Sequence, residues 1–132
     1  MLNNILMKKY ASNILITLFA SSIIFHILVI LGVFPMTIIW GGRITNRTEL
    51  VQMETVSILI NALFLVIILI KAGFVKINVN QKALNSTLGF MAFIFALNTV
   101  GNLFAKSSIE TMIFTPVTAI SSVLCVWLIW GK

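Results

Sequence analysis

His26 is the only histidine in this sequence, and Glu49, Glu54 and Glu110 are the only acids. An imidazole and a carboxylate are the side chains best suited to move a proton near neutral pH, so these four residues bound any acid–base chemistry. Glu49 and Glu110 stand three residues after Asn46 and Ser107, the spacing at which an acid reaches back to cap a helix start. That leaves Glu54 as the acid to follow. It is expected near the outer surface, paired with Arg43, Arg47 or Lys106, and such an exposed ion pair has little energetic worth. A lone histidine among apolar neighbours reads first as a packed, hydrogen-bonded residue and second as a proton-responsive one.

Other chemistries lack their parts. One histidine cannot supply both axial ligands of a bis-histidine haem, and no His or Cys partner accompanies the acids at a metal site, so neither cofactor nor metal is expected. The single Cys125 cannot form an internal disulfide, which argues against paired-thiol redox work. No nucleophile, base and orienting group can be assigned together, and no phosphate-binding glycine loop occurs.

The elements that must carry these residues are membrane helices. Of 132 residues, 60% are hydrophobic and 9% charged, far from the soluble average of about 25% charged. Four apolar runs reach the length of a bilayer span, at about Asn13 to Phe34, Thr55 to Phe74, Leu88 to Ala105 and Met112 to Trp130. The expected fold is an all-α integral membrane protein: one domain over residues 1–132, a four-helix bundle with helices at about 12–34, 47–74, 86–106 and 108–130. The first run continues past the small residues Ala20-Ser21-Ser22, so it reads as an uncleaved helix rather than a signal peptide.

Basic residues give the orientation. Lys8, Lys9, Lys71, Lys76, Lys82 and Lys132 fall on one side, and Arg43, Arg47 and Lys106 on the other. The richer side is placed inside, so both termini are expected in the cytoplasm and the chain in a bacterial inner (cell) membrane as a multi-pass protein. The net charge of +6 is dispersed among loops, which fits orientation and lipid contact rather than nucleic acid.

Given that orientation, polar residues collect in the outer half. Glu54, Ser57 and Asn61 share one face of helix 2; Asn98 and Asn102 rise along helix 3; Thr115, Thr118 and Ser122 repeat on helix 4; His26 adds to them from helix 1. Together His26, Glu54, Ser57, Asn61, Asn98, Asn102, Thr115 and Thr118 outline a polar pocket under an outer loop carrying Trp40, Gly41, Gly42 and Arg43. Interhelical hydrogen bonding of about 0.6 kcal/mol per group explains such residues equally well. Lys71 reads as a headgroup anchor, Asn85 or Ser86 as the cap of helix 3, and Pro116 as either a kink in helix 4 or its first residue.

The first functional expectation is a non-enzymatic protein binding a small amphiphile, lipid or solute in this pocket, in a setting related to transport. Small multidrug-type transporters are similar in size and helix number, but they rely on a carboxylate in the first helix, and none is present here. With no acid placed at mid-membrane, a neutral or anionic ligand is expected. The second is an accessory, assembly or immunity-type protein that packs against a membrane partner or a second copy of itself. An intramembrane enzyme using Glu54, His26 and Asn61 on a lipid-like substrate ranks third.

Overall fold

The computed structural model describes residues 2–130, and Lys132, counted above among the inner cations, lies outside them. All regular structure among the described residues is helical: α1 (Leu2–Ile30), α2 (Arg47–Lys71), α3 (Gln81–Leu103) and α4 (Thr115–Trp130). A π-helical turn, Glu110–Phe114, leads into α4, and two short 3-10 turns lie in the loop between α1 and α2. Four helices, Leu2–Ile30, Arg47–Lys71, Gln81–Leu103 and Glu110–Trp130, are long and apolar enough to cross a membrane.

Local chemistry sets the boundaries. Asn46 caps α2 through its side-chain oxygen, which accepts the Glu49 N–H at 2.8 Å. The start of α3 lies five residues earlier than Asn85 and Ser86 suggest, because Asn80 takes the capping role by accepting the Lys82 N–H at 2.9 Å. Asn85 instead accepts from Lys71 Nζ at 2.7 Å, so this lysine ties α2 to α3 rather than standing alone as an anchor. α1 begins at Leu2, ten residues before the expected helix start at 12, since a helix forms wherever propensity allows and hydropathy marks only its apolar portion. It ends at Ile30 in a turn where Gly32, at φ +81°, adopts the left-handed geometry and Val33 N–H reaches back to the Leu28 carbonyl. Arg47 donates to the freed Ile30 carbonyl, placing a cation at the negative end of α1.

Pro116 is neither a simple kink nor a first residue. Its ring and missing N–H conflict with a regular bond to the Met112 carbonyl, and the widened turn over Glu110–Phe114 absorbs that conflict just before it.

The bundle runs in the order α2, α1, α4, α3. The α1–α2 and α3–α4 pairs are extensive, α1 and α4 join them, and α2 and α3 meet sparsely. Two apolar clusters result. One, around Leu15, Phe19, Phe64, Ile68, Leu88, Met91, Phe95, Cys125 and Leu128, fills the half of the bundle toward the 72–80 loop. The other, Val29, Ile39, Ile44 and Leu50, sits beneath the loop that joins α1 to α2.

Candidate functional site

A cavity of 380 Å³ lies between those two clusters. Its floor is a trio of rings: Phe19 stacks on Phe95 at 5.5 Å between centroids, and Phe64 meets both at 6.0 and 5.6 Å. His26, Trp40, Glu54, Ser57, Asn61, Asn98, Asn102 and Thr118 line it, as do the unanticipated Ser22, Glu110 and Ser121.

Glu54 is fully buried and has no lysine or arginine partner among the described residues. One carboxylate oxygen lies 2.5 Å from His26 Nδ1, and the other accepts the Trp40 indole N–H at 2.7 Å. The expected cations are elsewhere: Arg47 caps α1, while Arg43 and Lys106 are exposed. The physical reason is solvation, because a long cationic side chain can reach water while residue 54, two turns into α2, cannot. Imidazole and indole bring donors that are far less costly to desolvate.

Glu110 also departs from its expected role. Its carboxylate does not cap the helix start but accepts the Gly41 N–H at 2.7 Å, and the side chain is 8% exposed. Two buried acids on α2 and the α4 entrance therefore hold consecutive residues, Trp40 and Gly41, and fasten the loop between α1 and α2 across that end of the cavity. The loop can present itself this way because Trp40, Gly41 and Gly42 have φ of +54°, +66° and +69°. For two glycines that costs little; for a tryptophan it is strained, and the strain is held by the indole bond and by packing on the outer cluster.

The remaining polar groups divide between the cavity and the helix contacts. Asn61 Nδ2 donates to the Ser57 carbonyl at 2.8 Å, and Ser57 Oγ to that of Met53 at 3.0 Å. Asn98 is exposed on the α3 side of the cavity and bonds to no other described residue. Thr118 joins α4 to α3 by accepting from Thr99 at 2.9 Å, with Asn102 Nδ2 at 3.5 Å. Ser122 turns away to donate to the Ala92 carbonyl at 2.8 Å, an interhelical bond. Thr115 lies outside the cavity, its hydroxyl buried without a partner among the described residues; the cavity face of this helix runs through Phe114, Val117, Thr118 and Ser121 instead. Gly41 and Gly42 border a separate, shallower depression with Thr37 and Lys106, and Arg43 lines neither hollow.

Two buried carboxylates at the cavity remove the basis for preferring an anionic ligand. Ser22 was legible, standing one turn from His26 on the same helix face; Glu110 was hidden by a capping pattern that fitted it locally. Among the described residues no three His, Cys, Asp or Glu side chains come together as metal ligands. The chain matches no known protein family, and no curated protein or solved structure is significantly similar to it.

Proposed function

We propose that this is a multi-pass cell-membrane protein, with termini and the 72–80 loop on the cytoplasmic side, that binds a small amphiphile in the cavity between its helices. The orientation rests on the excess of lysines on that side. The ligand-binding reading is carried by one observation: the cavity stands between an aromatic floor and a fastened loop, where α2 and α3 scarcely touch. Ile60 on α2 and Asn98 on α3 are both exposed and both line it, so its walls continue into the lipid-facing surface. An amphiphile can pass between these helices from the bilayer, with its polar group toward Glu54 and its tail toward lipid. Mixed walls of this kind, mostly apolar with a few convergent polar groups, are the usual form of a small-molecule site.

The test is thiol labelling in membranes. With Cys125 replaced by Ala, single cysteines are placed at Asn61, Asn98 and Thr118, at Ile67 below the floor, and at exposed Thr45, then treated with N-ethylmaleimide. Because the thiolate is the reactive form, labelling reports water. Labelling at the three cavity positions and Thr45, with none at Ile67, is expected. Labelling at Thr45 alone would mean that the polar residues are dry interhelical contacts, and the reading would fail in favour of a partner-binding protein.

A further inference from the structure

We infer that the polar group taken by this cavity is a protonated amine on an apolar tail, a lipophilic amine; this rests on the amphiphile-binding reading above. Four of the donors that line the cavity are already used, while the Asn98 amide on the α3 side and the Ser22 hydroxyl on α1 bond to no described residue. Asn61 Nδ2, Ser57 Oγ, Thr118 Oγ1 and Ser121 Oγ donate to the carbonyls of Ser57, Met53, Phe114 and Val117. A carbonyl only accepts, so these bonds fix the direction of donation and the orientation of the Asn61 amide.

Acceptors remain on Asn61 and Glu110. Asn61 Oδ1 receives no hydrogen bond from a described residue. Glu110 is more than nine-tenths buried, its Oε2 holds Gly41, and its Oε1 has no donor among the described residues. Among the described residues His26 is the one basic group within ion-pair distance of Glu54, and Arg43, which folds over Gly41, stays beyond ion-pair distance of Glu110.

A primary ammonium offers three donors and no acceptor, the complement of the Asn61 oxygen and of the carboxylates of Glu54 and Glu110. The rings of Trp40, Phe25 and Phe114 border the same end of the cavity and offer π faces to a cation. A carboxylate or phosphate headgroup would set acceptors against acceptors and negative charge against Glu54 and Glu110. A hydroxyl would use one donor and leave its own lone pairs facing oxygens. Because the Phe19, Phe64 and Phe95 rings close the floor, the tail leaves between α2 and α3, past Ile60 and Ile94.

The experiment uses the full chain with Trp127→Phe and Trp130→Phe, both positions being exposed, so that Trp40 alone fluoresces. In phosphatidylcholine nanodiscs it is titrated with dodecylamine, dodecanol and dodecanoate. A saturable change is expected with dodecylamine at a midpoint about tenfold or more below that of dodecanol, about 1.4 kcal/mol per factor of ten. Glu110→Gln, which keeps an acceptor for Gly41, should bring the midpoints of dodecylamine and dodecanol together within that variant. Equal midpoints for amine and alcohol, or an amine advantage that survives both Glu110→Gln and Glu54→Gln, would overturn the inference and leave the amphiphile reading standing. No saturable change with any of the three would overturn both.

Discussion

Trp40→Phe isolates the bond that fastens the loop. The substitution keeps a Cβ at φ +54°, so the backbone strain is common to both proteins, and it removes the indole N–H that lies 2.7 Å from Glu54. One oxygen of a fully buried carboxylate is then left without its donor. An unsatisfied buried acceptor costs about 1–3 kcal/mol, more when charged, and loss of the second ring adds a packing cost of its own. A double-mutant cycle separates the two, because in a Glu54→Ala background Trp40→Phe can cost only the packing. Stability is read by titrating SDS into mixed micelles and following circular dichroism. A coupling of about 1–3 kcal/mol is expected. A value within about 0.5 kcal/mol of zero, the ordinary scatter of additivity, would refute the view that Glu54 holds the loop.

Gly42→Ala should destabilise more than Gly32→Ala in the same titration. Both have positive φ, worth about 1–2 kcal/mol for an L residue, but only at Gly42 would the added Cβ meet a backbone oxygen, that of Thr37 at 3.2 Å. Cys125 is fully buried in the floor cluster, so the unmodified protein should resist N-ethylmaleimide until it is unfolded by SDS. Pro116→Ala should be neutral or stabilising, because it restores an N–H to a helix that had widened to accommodate the proline, and a destabilisation above about 1 kcal/mol would contradict the role given to the π turn.

Helix number and type were legible because apolar runs of this length have few other physical outcomes. The polar volume could be anticipated on α2, where Glu54, Ser57 and Asn61 keep a regular helical spacing and the structure lines all three along one cavity. On α4 the same reasoning missed the face: Phe114, Val117, Thr118 and Ser121 line the hollow, and Thr115 and Ser122 fall beside it. Partner choice was the least legible. Formal charge pointed Glu54 to an arginine or lysine, yet burial selected imidazole and indole. The left-handed path through Trp40, Gly41 and Gly42, which brings those partners in, has no periodic signal in the sequence. Glu110 shows the converse, a local capping pattern overridden by an N–H 69 residues away.

The most direct measurement is native mass spectrometry of the protein released gently from its membrane, beside a Thr118→Trp variant that fills the cavity from α4. The expected result is an adduct of amphiphile mass on the unmodified chain that is missing from the variant, with both retaining the same helical circular dichroism. The same adducts on both proteins, or none on either, would contradict a ligand-binding cavity between these helices.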